Sequence, residues 1–274
     1  MVSVLILTLN EESNLPACLE SVKWSDDVLV LDSFSTDKTV EIARAAGARV
    51  MQNRFVNFSE QRNFGVQKGG LKHEWILHLD ADEVVTAELK DELLRRIQTE
   101  DREAYRVPSK MIFEGRWLKY SGMYPTYQVR LGRREKLKFV QVGHGQRESM
   151  RADRLGTLRN ALLHYSFAKG ISDWVARHNR YSTDEARHFV DDLAGKELDW
   201  MGLCSSNDVV RRRRTVKQIA FHLPCRPALR FIYMYCLRLG FLDGTPGLHY
   251  CRLLAFYEYL VTLKIQELRG KAVQ

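Results

Sequence analysis

In the segment Trp75-Ile76-Leu77-His78-Leu79-Asp80-Ala81-Asp82-Glu83, an apolar run stops at two carboxylates two residues apart. The run has the length and composition of a buried strand. In an open α/β sheet, ligands bind just beyond the carboxyl ends of the strands. Oxygen ligands placed there can hold a divalent cation, and that cation can neutralise a phosphate. Taken alone, such an acidic turn is more often a solvated turn or a helix cap. Its neighbours decide.

Polar residues recur at the equivalent place in the pattern. Thr8, Asn10 and Glu11 follow the first predicted strand. Asp32, Ser33 and Ser35-Thr36-Asp37 follow the second, with the last three suited to capping a helix. Between these and Asp80 lies Gln61-Arg62-Asn63-Phe64-Gly65, whose arginine suits a phosphate. Adjacent parallel strands would gather these groups on one rim. Carboxylates for a ribose diol or a uracil edge, a metal pair and an arginine together describe a nucleotide-diphosphate site.

The elements that must position them follow from periodicity. Val2–Leu9 is a continuous apolar run, suited to a parallel strand buried on both faces. Val28–Leu31, Arg49–Gln52 and Trp75–Leu79 are further strands. Helices are expected at Leu15–Val22, Val40–Ala46 (stopped by Gly47), Phe58–Lys68 (closed by Gly69-Gly70) and Ala87–Ile97. Strands alternating with helices imply βαβ units and a mainly parallel sheet. From Tyr105 to Leu163 the pattern changes to short strand-like pieces at Tyr105–Pro108, Tyr127–Leu131 and Phe139–Val142. A helix at Ser172–Phe189 and a loop around 202–207 come next, then helices at Thr215–His222, Ala228–Leu239 and Leu248–Leu268. This gives an α/β catalytic domain over residues 1–190 and a helical, basic extension over 191–274.

Composition narrows the classes. Apolar residues make up 45% of the 274, ample for a core. The five cysteines, Cys18, Cys204, Cys225, Cys236 and Cys251, form no C-x-x-C pair, so neither a zinc site nor a disulfide framework is expected. No uncharged apolar run approaches the roughly 18 residues that a membrane span needs. The net charge is +8, and its placement is uneven. Arg211–Arg252 holds nine Lys/Arg and one acid, which leaves 33 basic and 33 acidic residues elsewhere. A localised basic patch argues for an anionic surface rather than for a nucleic-acid-binding protein, whose basic surface would be more uniform.

The ordered motifs Ser3-Val4-Leu5-Ile6-Leu7-Thr8-Leu9-Asn10-Glu11-Glu12, Val30-Leu31-Asp32-Ser33-Phe34-Ser35-Thr36-Asp37, Gln61-Arg62-Asn63-Phe64-Gly65 and Leu79-Asp80-Ala81-Asp82-Glu83 resemble the inverting family 2 glycosyltransferases with the A-type (nucleotide-diphospho-sugar transferase) fold. No G-x-G-x-x-G follows the first strand, which disfavours a dinucleotide dehydrogenase. Further along, Arg130-Leu131-Gly132-Arg133-Arg134, Val142-Gly143-His144 with Glu148, and Leu163-His164-Tyr165-Ser166 are similar to the subgroup containing the lipopolysaccharide-core β-1,4-glucosyltransferases. Gly240-Phe241-Leu242-Asp243-Gly244-Thr245-Pro246 is similar to members acting on lipid-linked or cell-surface glycans.

The resemblance implies roles. Asp82 would bridge Mn2+ or Mg2+ to the diphosphate of a UDP-sugar, and Asp80 would touch ribose or a metal-bound water. Asp32 would bind uracil or ribose, with Thr8, Asn10 and Glu11 beside it, and Arg62 would meet a phosphate. Inversion needs a base for the acceptor hydroxyl. Glu148 and His144 are the candidates. Glu148 is preferred from its place after the sheet, although Val142–Glu148 departs from the commoner Val-His-Glu form. His164 stands where some relatives place a further metal or diphosphate ligand. The implied reaction moves a hexose, glucose from UDP-glucose, onto a glycan or glycolipid acceptor. Transfer to a polyprenyl phosphate and a non-catalytic sugar-nucleotide-binding protein are the alternatives. Basic residues among Phe, Tyr and Leu in the C-terminal helices suit an anionic membrane surface. The expected location is the cytoplasm, peripheral on the inner face of the cytoplasmic membrane.

Overall fold

The computed structural model describes residues 1–99, 102–142, 145–190 and 225–271. His144, Arg211–Arg214, the loop at 202–207 and the helix expected at 215–222 lie outside the described residues. The chain forms two compact units, Met1–Ile171 and Ser172–Gln274.

In the first unit, β1 (Val2–Thr8) is buried at every position, as a central strand covered on both faces requires. It lies between β2 (Val28–Asp32) and β4 (Trp75–Asp80), parallel to both, with β3 (Arg49–Gln52) beyond β2. The register pairs Thr8 with Asp32 and Leu7 with Asp80. Three carboxyl ends therefore finish level, and their polar residues share one rim.

Beyond β4 the sheet also takes in antiparallel strands. β8 (Thr126–Arg133) runs antiparallel to β4 and to β6 (Ala104–Phe113), which is followed by β12 (Leu162–His164) and β5 (Glu83–Val84). β11 (Leu155–Thr157) and the short β7 (Arg116–Trp117) also pair with β6. No crossover helix joins β6 to β8, so the chain returns beside itself and the pairing is antiparallel. β5 pairs antiparallel with β12, setting His164 opposite Glu83. β9 (Phe139–Val142) and β10 (Gly145–Glu148) form a separate two-stranded sheet.

Alternation along β1 decides which helix covers which face. Val4 and Ile6 join Leu15, Cys18 and Leu19 of α1 (Leu15–Ser21) and Leu89 and Leu93 of α4 (Ala87–Arg96). Leu5 and Leu7 point the other way, into a cluster that includes Phe58, Phe64 and Val66 of α3 (Phe58–Lys68). The expected cap of α2 (Thr39–Ala45) is differently built. Its N-cap position is Lys38, without a side-chain cap, and Asp37 Oδ1 accepts from Thr39 N–H at 3.0 Å. Ser35 and Thr36 are used elsewhere, as described below.

The second unit is helical: α5 (Gly170–His188), α6 (Arg226–Ile232) and α7 (Gly244–Lys271), with a π turn at Tyr233–Leu237 and a 3-10 turn at Gly240–Asp243. Ala186 and Phe189 pack with Val261 and Ile265, and Arg226 pairs with Glu258 at 2.6 Å. This packing draws α5 to the C-terminal helices, so the compact units divide at Ile171/Ser172, ahead of residue 190.

α3 lies close to the sheet because Gly65 has no side chain. A Cβ there would stand 2.8 and 2.9 Å from the Leu5 methyls and 3.1 Å from Leu31 Cδ2. Gly65→Val should therefore lift the helix and lower stability by about 1–3 kcal/mol, the usual cost of overpacking. Urea denaturation should show a lower midpoint with an unchanged slope.

Candidate active site

The loops after β1 and β2 are stitched together by side chains. Asn10 adopts φ 54°, a left-handed conformation that Asn tolerates. Its N–H donates to Ser35 Oγ at 2.8 Å, and its Oδ1 accepts from Thr36 N–H at 2.8 Å. Glu11 N–H donates to Thr39 Oγ1 at 2.7 Å. This is why Ser35 and Thr36 do not cap α2: they bridge two loops instead. Beneath them Asp32 is fully buried. It accepts from Thr8 Oγ1 (3.0 Å), Ser35 N–H (2.9 Å), Gln52 Nε2 (3.0 Å) and Ser35 Oγ. Both of its oxygens are engaged within the protein, so its visible work is to hold the loop carrying Ser35 and, through it, Asn10.

Asp80 is clamped between two arginines. Arg62 Nη2 donates to Oδ1 at 2.6 Å and Arg130 Nη2 to Oδ2 at 2.5 Å. The same Arg130 nitrogen lies 2.6 Å from Glu83 Oε1, while Glu83 Oε2 accepts from Asp80 N–H at 3.0 Å. Arg62 and Arg130 are only 1% and 2% exposed, and Glu83 is equally buried. Burial alone would raise the pKa of Asp80, but Arg130 and Arg62 outweigh it and hold the carboxyl well below the usual range. For Glu83 burial prevails and its pKa is raised. Burial pushes Arg62 down to about 10. Arg62, expected at a phosphate, is thus the buried partner of Asp80. Gln146, with its amide oxygen turned toward Arg62, accepts from Nε at 2.8 Å.

Asp82, two residues on, faces a different partner. Its Oδ2 lies 3.2 Å from His164 Nε2, with both side chains partly exposed. Burial disfavours the imidazolium, but Asp82, with Glu83 and Asp80 behind it, pulls the His164 pKa up to about 9. Antiparallel pairing of β5 with β12 brings His164 here from a distant part of the sequence. Lys169 reaches the same rim. Its Nζ lies 2.5 Å from Glu11 Oε1 and donates to Leu9 O at 3.2 Å. Burial raises the Glu11 pKa, and Lys169 opposes that rise.

Glu148 closes β10, directly opposite Phe139 of β9. That hairpin rests on α3: Asn63 Nδ2 donates to Phe139 O (2.8 Å) and Asn63 Oδ1 accepts from Phe139 N–H (3.1 Å). The Arg62 guanidinium lies 5.7 Å from the Phe139 ring. Among the described residues Glu148 makes no side-chain hydrogen bond or ion pair. The structure thus gathers Thr8, Asn10, Glu11, Asp32, Asp80, Asp82, Arg62 and His164 through direct contacts or adjoining strand ends. Glu148 is tied to them only through the hairpin and α3.

Sequence reasoning gave no role to Arg130, Glu83 or Lys169. Arg130 had a legible signal, a cation between Val129 and Leu131 in a strand pattern, which a buried position tolerates only with a partner. Removing it should leave Glu83 as a buried, poorly compensated charge and Asp80 with Arg62 alone. Arg130→Met should cost about 3–5 kcal/mol, as for other broken buried pairs. Burial already lifts the folded-state pKa of Glu83, and Arg130 is the charge that most opposes that rise. Its loss raises this pKa further above the unfolded one, and such a deficit grows as pH rises. Urea midpoints should therefore differ most from wild type near pH 7 and converge as pH falls into the carboxylate range, about pH 4.

Comparison with known proteins agrees with this architecture. Residues 3–152 match the model of Glycosyl transferase family 2. An uncharacterised glycosyltransferase of Rickettsia bellii is 31% identical over 203 residues, covering 69% of this chain and 67% of that protein. The lipopolysaccharide core biosynthesis glycosyltransferase LpsC of Rhizobium meliloti is 24% identical over 195 residues, covering 69% and 72%. Among solved structures, the mannosyltransferase PcManGT of Pyrobaculum calidifontis, in complex with GDP-Man and Mn2+, superposes with a TM-score of 0.52 at 14% identity, covering 97% of this chain and 86% of that one. The fold is therefore of the A type of glycosyltransferases, and the chain belongs to glycosyl transferase family 2.

Proposed function

We propose that this glycosyltransferase moves a hexose, glucose from UDP-glucose, with inversion onto a sugar of a lipid-linked or cell-surface glycan such as a lipopolysaccharide core. The observation that carries the reading is the Asp82–His164 pair at the level strand ends, beside an Asp80 locked by Arg62 and Arg130. The likeness to LpsC supports the acceptor class. The mannosyltransferase of similar fold, solved with GDP-Man and Mn2+, supports a nucleotide sugar with a divalent cation.

The residues present fit such a cation. Among the described residues no three His, Cys, Asp or Glu gather into a closed metal cage. Mg2+ in nucleotide sites is commonly held by one or two carboxylates, with substrate phosphates and water completing the shell. Asp82 would supply the carboxylate of such a set. His164, now paired with it, would join as a donor only once the cation displaced its imidazolium proton. The charge of a cation held there would stabilise the departing diphosphate. Asp80, unable to turn between its two arginines, presents its exposed edge to the ribose. Thr8 and Asp32 fix the loop on which Asn10 meets the nucleoside, and Glu11 is steadied by Lys169. Glu148 takes the proton of the acceptor hydroxyl, with His144 as the other candidate.

No described helix is long and apolar enough to cross a membrane. The net +8 of Arg211–Arg252 supports reversible docking on the inner, anionic face of the cytoplasmic membrane.

Two variants test the chemistry. Asp82→Asn should keep the fold by circular dichroism but lose most of the Mn2+-dependent affinity for UDP. Calorimetry that finds UDP and Mn2+ binding unchanged would remove Asp82 from the metal site. Glu148→Gln should lower turnover roughly 10²–10⁴-fold with little change in donor binding. If His144→Ala shows that loss and Glu148→Gln does not, the base is His144.

A further inference from the structure

We infer that the apolar, acid-free segment Cys225–Leu242 is a wedge that seats the helical unit in an anionic lipid surface. This deepens the membrane reading given above and rests on it, but transfers the docking from the arginine run at 211–214 to an apolar face.

α6 and the π turn after it place Leu229, Ile232, Tyr233, Cys236 and Leu237 at helical spacing on one side. All five are exposed, and Leu237 is 71% exposed. On the inward side Met234 is fully buried. The exposed face then continues through Leu239, Phe241 and Leu242. Single exposed apolar side chains are ordinary, whereas a contiguous run marks an interaction surface. Leu239 sharpens the point. It adopts φ 60°, a region that suits glycine and not a branched side chain, yet its side chain is exposed. The backbone gains nothing from leucine there.

Charge selects the occupant. From Cys225 to Leu242 the charged residues are Arg226, Arg230 and Arg238, with no Asp or Glu, and the following Asp243 is buried. Arg226 is committed to Glu258 at 2.6 Å, while Arg238 is exposed within the apolar face. A two-fold contact between copies would lay this acid-free patch on itself, with like charges opposed. An apolar face carrying arginines, with tyrosine among its residues, instead suits the boundary between anionic headgroups and acyl chains.

The test uses the full chain and vesicles of phosphatidylcholine with or without phosphatidylglycerol, scored by co-sedimentation at low and high salt. Wild type should bind the phosphatidylglycerol vesicles, and part of that binding should survive high salt, because buried apolar area is not screened. Each inserted Leu or Phe changes partition by roughly tenfold or more. The double variant Leu237→Asp, Phe241→Asp should therefore bind about 10²-fold more weakly. Leu237 is largely exposed and Phe241 half-exposed against the Tyr235 ring, so the double variant's circular dichroism should match wild type. Leu237→Asp alone, with a wild-type thermal melt, should bind about tenfold more weakly. If the double variant binds like wild type while Arg211–Arg214→Ser abolishes binding, the wedge is overturned and the membrane reading survives. If wild type binds neither vesicle, both fall. If the double variant only converts a dimer to a monomer, the face is a subunit interface and the wedge is overturned.

Discussion

Asp80 is held by Arg62 of α3 and Arg130 of β8, and the rest of the candidate site is arranged around that clamp. Two guanidinium groups and Glu83 are buried, and Asp80 is only partly exposed, so an uncompensated charge among them would be costly. The four can lie together because the charges balance and the geometry is close. The constraint is mutual. α3 must lie near the sheet for Arg62 to reach Asp80, which Gly65 permits, and β8 must sit next to β4 for Arg130 to do so. The antiparallel insertion of β8 is thus part of what builds the rim.

A clamped Asp80 has a consequence for its neighbours. Its carboxyl stays ionised and cannot turn away, so the chain after it leaves β4 in a fixed direction. Asp82 then emerges at the rim with His164 across from it. The pair is charge-balanced, and so is Glu11 with Lys169. A rim whose own charges are largely neutralised does not repel a nucleotide diphosphate by itself, but it holds little positive charge in reserve. The proposed cation, arriving together with the donor, would supply it.

The loops after β1 and β2 follow a different logic. Asp32 is saturated by protein donors and Asn10 is held in a left-handed turn by Ser35 and Thr36. These residues set a surface through backbone shape rather than by direct charge. Binding energy for a nucleoside is better preserved by such a rigid loop than by a mobile one, because less order must be imposed on binding.

The sequence by itself determined the strand–helix alternation, the buried β1, and the placing of Thr8, Asp32 and Asp80 at strand ends. Each of these follows from local periodicity and from turn residues next to apolar runs. It also determined the family resemblance, since the four motifs are contiguous in sequence. Tertiary structure decided what those polar groups touch. Arg62 was expected to meet a phosphate, but its distance from Asp80 depends on how α3 packs. Arg130 and Lys169 come from segments whose pairing partners no local pattern specifies. Ser35 and Thr36 had the composition of a helix cap, and only the approach of the Asn10 loop diverted them. The antiparallel strands beyond β4 were not legible for the same reason: strand direction there is set by long-range pairing, whose selectivity lies in the packed whole rather than in any window of residues.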